Sequence, residues 1–261
     1  MKKELKDVKL FLMDMDGTVY VGDRKIEGAF EALCEIKRQG RKVLFLTNNS
    51  SKTAEKYVEK LSKMGYPATE KDIFSSGDAT IRFLRNERAG KKVLLLANAA
   101  VTERFQKAGV PLVTEGADIV LVCFDTELDY HKLTLACNHL FEGKEYVVSH
   151  PDLVCPAEPH SVPDVGSFMA LIKAVTGRDP DLIVGKPYAL MAKYIAEDYG
   201  LRPEEIAMCG DRLYTDIKFA TNNGMKSILV LTGETTLEDL ANSDAKPDLV
   251  LNTFSEVLSH L

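Results

Sequence analysis

Short apolar runs alternate with longer amphipathic stretches from one end of the chain to the other. A short apolar run bounded by glycine and polar residues reads as a buried strand, and apolar positions three and four apart read as a helix. Residues 8–13 are the first such run, and they break at once on Asp14-Met15-Asp16-Gly17. Residues 19–26 then read as a small hairpin with Gly22-Asp23 at its turn. A helix is predicted over residues 29–39, where Phe30, Leu33 and Ile36 share a face and Gly40 gives the stop. Residues 42–46 form a second strand, which ends in Thr47-Asn48-Asn49-Ser50-Ser51. A helix over residues 53–64 closes on Gly65, and a third strand covers residues 73–76. This order predicts a parallel sheet with right-handed crossovers.

The middle of the chain repeats the same grammar. Strands are expected over residues 92–96, 118–124 and 146–149, and helices over residues 100–108, 130–141 and 166–176. Residues 150–164 form a loop holding Pro151, Pro156, Pro159 and Pro163, too long for a simple connector. The last third returns to the style of the first. It has strands over residues 181–184, 206–209, 227–231 and 248–251, and helices over residues 188–199, 217–223 and 254–261. No Gly/Ser linker marks a boundary. The switches near residues 78–90 and 178–186 therefore predict an inserted domain, residues 81–179, within a core made of residues 1–80 and 180–261.

With 261 residues the chain suffices for one large domain or two modest ones. A formal net charge of −6 argues against a nucleic-acid-binding surface. The five cysteines, Cys34, Cys123, Cys137, Cys155 and Cys209, are odd in number and show no C-x-x-C spacing. They read as reduced, mostly buried thiols of a cytoplasmic protein. Residues 1–9 are charged and are not followed by the apolar core of a secretory signal. No apolar run approaches the ~18 residues needed to span a bilayer.

The candidate chemistry gathers at strand ends. In an open α/β sheet, ligands bind beyond the carboxyl ends of the strands. Four of those ends carry polar clusters: Asp14/Asp16, Thr47/Asn48/Asn49, Gly185/Lys186 and Asp211/Asp216. Each alone has an ordinary explanation. The first is also a solvated acidic turn, the second a helix cap, and Gly185-Lys186 lacks the pattern of a Walker phosphate loop. Asp14 and Asp16 lie two apart, however, and on an extended chain they point the same way. Two carboxylates so close are costly without a cation between them. A hard divalent cation with oxygen ligands, Mg²⁺ foremost, relieves the repulsion. Together the four ends place carboxylates, one lysine, small donors and a nucleophile on one edge of one sheet, the inventory of phosphoryl transfer.

Asp14-Met15-Asp16-Gly17-Thr18-Val19 resembles the first motif (DxDGT) of the haloacid dehalogenase (HAD) superfamily. Thr47 resembles its second motif, Lys186 its third, and Asp211 with Asp216 (GDxxxTD) its fourth. The insert between the second and third motifs looks like a type II cap of the IIA subtype. Thr47-Asn48-Asn49-Ser50, His150-Pro151-Asp152 and Gly185-Lys186-Pro187 resemble the p-nitrophenylphosphatase/NagD-like branch. The likeness runs over essentially the whole chain.

The resemblance implies an α/β fold, a Rossmann-like parallel-sheet HAD core with an inserted α/β cap domain. It implies a Mg²⁺-dependent phosphomonoester hydrolase that works through an aspartyl-phosphate. Its small-molecule substrates would be sugar phosphates, nucleoside monophosphates and aryl phosphates. Asp14 is then the nucleophile, and Asp16 the general acid and later base. The Asp14 carboxylate, the Asp16 backbone carbonyl and Asp211 hold Mg²⁺. Asp216 supports the metal waters or orients Lys186. Thr47, Asn48 and Lys186 hold the phosphoryl oxygens, and His150 and Asp152 in the cap reach the substrate. No nucleic-acid polymer or membrane is expected as a partner, and an oligomer is left open. Two other readings stand beside this one. A phosphotransferase or mutase would share every residue up to the aspartyl-phosphate. A signalling module would use Asp14 as a phospho-acceptor, although receiver domains lack the Asp-x-Asp-Gly-Thr order.

Overall fold

Every side chain of strand Leu10–Met13 is fully buried, as a continuous apolar run inside a parallel sheet must be. The computed structural model describes residues 5–157 and 159–261. Residues 1–4 of the charged N-terminal stretch and residue 158 of the proline-rich loop lie outside the described residues. The chain forms two compact units. The first comprises Met1–Thr47, Glu55–Phe74 and Lys186–Leu261, and the second Asn48–Ala54 and Ser75–Gly185.

The first unit is built on a six-stranded sheet. Its order is Leu249–Leu251, Lys226–Val230, Ile206–Gly210, Leu10–Met13, Lys42–Thr47 and Ile73–Ser75. Leu10–Met13 pairs in parallel with both neighbours, in registers that set Met13 beside Cys209 and Phe45. Three strands therefore end nearly level, and Asp14, Asp211 and Thr47 arrive at one edge. Helix Ala29–Arg38 buries Phe30, Leu33 and Ile36, the face its spacing predicts. Phe30 and Phe45 both meet the ring of Tyr66, at centroid distances of 5.2 and 5.4 Å. The expected hairpin is present as Tyr20–Val21 paired with Arg24–Lys25.

The second unit has its own four-stranded parallel sheet, ordered Leu182–Ile183, Glu145–Val148, Ile119–Val122 and Val93–Leu96. Helices Ser76–Glu87, Ala99–Lys107, Tyr130–Phe141 and Val165–Thr176 accompany it. Their starts are marked by Ser75, Asn98, Asp129 and Asp164, whose side chains accept backbone N–H groups of the first turn.

Departures from the sequence pattern are local. The loop over residues 150–164 contains a short antiparallel pair, Val154–Cys155 with Val162–Pro163. A proline is tolerated there because an edge strand leaves that N–H unpaired. The helix expected over residues 217–223 begins earlier, as a π turn over Leu213–Ile217, and only then becomes the α-helix Lys218–Asn222. Residues 254–261 form a 3₁₀ helix, Phe254–His260. The helix Leu237–Ala241 has no counterpart in the pattern, being too short to show a period. No linker signal precedes the second unit because Ser75, the last residue of one strand, is also the N-cap of the next helix. Among the described residues no helix is long and apolar enough to cross a membrane.

Candidate active site

Three carboxylates of the first unit converge at the carboxyl edge of its sheet. Asp14, Asp211 and Asp216 each bring an oxygen within 4.8 Å of the others. Lys186 stands among them. Its Nζ donates to Asp14 Oδ1 at 2.8 Å, to Asp216 Oδ1 at 2.6 Å and to the Leu46 carbonyl at 3.3 Å. Lys186, Asp211 and Asp216 are buried, whereas Asp14 keeps 19% of its side chain exposed and can meet an incoming group. Thr47 is buried at the end of its strand.

The local chain explains this convergence. The Asp14 N–H donates to the Cys209 carbonyl at 2.9 Å, which carries the strand pairing one residue past Met13. Gly17 then turns the chain at a φ of +85°, and a Cβ there would lie 2.4 Å from Asp211 Oδ2. Only glycine satisfies both the turn and the approach. The wide π turn after Arg212 brings Asp216 back toward Lys186, with the Asp216 and Ile217 N–H groups both donating to the Arg212 carbonyl. Such turns recur at functional sites.

Burial raises the pKa of the Asp211 carboxyl, and the charges of Asp14 and Asp216 add to the effect. Burial also raises Asp216, against the attraction of Lys186. Burial disfavours the Lys186 ammonium, but Asp14 and Asp216 outweigh it and hold its pKa above the ordinary lysine value. Asp16 stands outside the group of three. Its pKa is raised chiefly by burial and also by Asp14, while Lys60, the Gly22 N–H and Arg212 pull it down.

One buried carboxylate oxygen of the cluster has no partner among the described residues. Asp211 Oδ2 accepts from the Glu234 N–H at 2.7 Å, while Asp211 Oδ1 is buried with no hydrogen-bond partner among the described residues. A buried carboxylate oxygen left so is costly. An all-oxygen donor set of this kind fits a hard divalent cation.

Lys186→Met is expected to cost about 3 kcal/mol of stability, because it strands buried carboxylates without their cation. Denaturant unfolding of the metal-free protein measures this. A loss well below 1 kcal/mol would show that the acids are neutral in the folded chain.

The remaining candidates lie in the second unit. The Asn48 side-chain amide donates to both oxygens of Asp152, at 3.2 Å each. His150 is completely buried. Its Nδ1 meets Ser149 Oγ at 3.0 Å and its Nε2 meets Asp164 Oδ1 at 2.9 Å. In this arrangement the imidazole presents no polar atom to a ligand. Sequence reasoning assigned no role to Arg212, Tyr214 or Glu234, of which Glu234 joins the other two and donates its backbone N–H to Asp211. Their only signal was position: two sit inside the GDxxxTD motif and the third follows a strand end.

A profile described as haloacid dehalogenase-like hydrolase matches residues 11–111, and a HAD-hydrolase-like profile matches residues 183–257. The acid sugar phosphatase of Staphylococcus aureus is 32% identical over 258 residues, covering 98% of this chain and 99% of that protein. The 4-nitrophenylphosphatase from Thermotoga maritima superposes with a TM-score of 0.95 at 42% identity, over 98% of each chain. The glycerol phosphate phosphatase from Mycobacterium tuberculosis, solved in complex with magnesium, superposes with a TM-score of 0.89 at 27% identity, covering 99% of this chain and 78% of that one. The chain belongs to the haloacid dehalogenase-like hydrolase family. Within that family it is a phosphatase of the NagD/4-nitrophenylphosphatase branch.

Proposed function

We propose that this phosphatase hydrolyses small phosphomonoesters by transient phosphorylation of Asp14, with Mg²⁺ held by Asp14, Asp211 and the Asp16 backbone carbonyl. The observation that carries this reading is the buried Lys186 ammonium, 2.8 Å from Asp14 Oδ1, beside an Asp211 oxygen with no partner of its own. Mg²⁺, when bound, offsets the phosphoryl charge that would repel an attacking carboxylate. Lys186 adds a fixed positive charge, and Thr47 a hydroxyl, for the phosphoryl oxygens. An Asp14 oxygen bonds to phosphorus as the ester P–O bond breaks, and Asp16 gives its proton to the departing oxygen. Asp16 then takes a proton from water. The water oxygen attacks phosphorus, the bond to Asp14 breaks, and inorganic phosphate leaves. A raised Asp16 pKa suits this exchange.

We assign residues 1–80 and 180–261 to the catalytic core and residues 81–179 to the inserted type IIA cap. Sugar, polyol and aryl phosphates are the substrates its relatives' activities suggest, with nucleoside monophosphates on the same test panel. Five cysteines, none in a disulfide, support a reducing, cytoplasmic setting.

Removing metal is expected to lower turnover at least about 100-fold, with recovery on adding Mg²⁺. Ca²⁺ is expected to inhibit, since it is larger and recruits more oxygens, drawing on the Asp14 oxygen needed for attack. Turnover that survives thorough chelation would end this reading. Phosphate release from a panel of phosphomonoesters, with and without chelator, tests both the class and the metal.

A further inference from the structure

We propose that Glu234 is a positioning residue of the metal site, and that it works by holding the Arg212 guanidinium off the carboxylate of Asp211. The inference rests on the reading that this carboxylate binds Mg²⁺.

Arg212 directly follows Asp211, and its side chain is only 15% exposed. Its Nε lies 2.9 Å from Glu234 Oε2. The Tyr214 hydroxyl donates to the other oxygen, Glu234 Oε1, at 2.8 Å. Both oxygens of Glu234 are thus engaged, one by Arg212 and one by Tyr214, both at the start of the π turn. Arg212 is the chain neighbour of Asp211, and Glu234, its ion-pair partner, also donates its backbone N–H to Asp211 Oδ2 at 2.7 Å, so the ion pair is held beside a carboxylate meant for the metal.

The backbone around Glu234 shows why that placement matters. Residues 232–235 wrap Asp211 closely. Thr232 Oγ1 donates to the Gly17 carbonyl at 2.6 Å, the Glu234 N–H to Asp211 Oδ2 at 2.7 Å, and the Thr235 N–H to the Asp211 carbonyl at 3.3 Å. At Gly233 a Cβ would fall 1.9 Å from Asp211 Oδ2, so no other residue allows this approach. These contacts fix one Asp211 oxygen and leave Oδ1 as the open ligand atom. An arginine fork is the side chain best shaped to claim an open carboxylate. Without Glu234, the largely buried Arg212 loses its ion-pair partner beside Asp211, whose Oδ1 has no hydrogen-bond partner among the described residues. Residues that orient metal ligands commonly change affinity 10- to 100-fold when removed.

The test is Mg²⁺ titrated calorimetrically into metal-free protein. Glu234→Ala is expected to weaken Mg²⁺ binding by about 10-fold or more. Glu234→Gln, which keeps one acceptor oxygen but loses the charge, should fall between it and the wild type. The double variant Arg212→Ala/Glu234→Ala is expected to bind at least as tightly as the wild type, because the competing cation is gone. A Glu234→Ala affinity within about twofold of wild type, well short of the usual range, would overturn the proposal. So would a double variant as weak as Glu234→Ala, which would place the effect in the loop rather than in Arg212. Should Glu234→Ala not fold by thermal unfolding, Glu234→Gln alone and combined with Arg212→Ala makes the same comparison. Wild-type binding that Asp211→Asn abolishes supports the metal reading whatever Glu234 does. A wild-type protein that takes up no Mg²⁺ overturns that reading and the role of Glu234 with it.

Discussion

Asp14→Asn is expected to lower turnover by at least about 10³–10⁴-fold while leaving the fold intact, as removal of a nucleophile does elsewhere. The amide nearly matches the carboxylate in shape but cannot form the bond to phosphorus. Its effect on stability tests the electrostatics separately. Asp14 is one of two carboxylates on Lys186, so the lysine keeps Asp216 after the change. Asp14 is also one of the charges that raise Asp211 and Asp216. A carboxyl whose folded pKa lies above its unfolded value contributes stability at acid pH and loses it as pH rises through the folded value. Lowering that raised pKa should help most above it. Metal-free Asp14→Asn is therefore expected to melt at or above the wild-type temperature at neutral pH, with the advantage gone near pH 4. Substantial turnover by the pure variant would remove Asp14 from its role. A fall in melting temperature at neutral pH would mean that the ion pair with Lys186 outweighs the crowding.

The strand ends were legible because each is local. An apolar run, a carboxylate and a glycine in sequence carry Asp14, and the same logic carries Asp211. What brings them together is the register of Leu10–Met13 against Ile206–Gly210. A parallel α/β pattern implies such a register without stating it. The surroundings of Asp211 were not legible. Glu234 contributes through a backbone N–H and through a side chain whose partners lie 22 and 20 positions away. No periodicity encodes such contacts. His150 shows the opposite difficulty. A histidine in a proline-rich loop looks available, yet Ser149 is beside it in sequence and Asp164 closes on its other nitrogen by capping a helix. Burial of a loop residue depends on packing that only the folded chain displays.

Asp16→Asn separates acid catalysis from position. If Asp16 protonates the departing oxygen, its worth depends on how much that oxygen needs a proton. An aryl phosphate such as p-nitrophenyl phosphate expels a stable phenolate and needs little help. A sugar phosphate expels a far more basic alkoxide and needs a full proton. General acid catalysis commonly contributes ~10²–10⁴-fold. Asp16→Asn is therefore expected to slow phosphorylation of Asp14 by about that factor for a sugar phosphate, and much less for p-nitrophenyl phosphate. Steady-state rates should fall for both, because attack by water also calls on Asp16 as base. Residue 16 keeps its backbone carbonyl, so Mg²⁺ affinity should change little. The raised pKa of Asp16 agrees with a proton donor, since burial and Asp14 outweigh the pull of Lys60, the Gly22 N–H and Arg212. Rapid-quench measurement of Asp14 phosphorylation with both substrates decides the matter. Equal loss on both would make Asp16 a positioning group. His150, with both ring nitrogens held and no exposure, could not replace it as the acid without rearrangement.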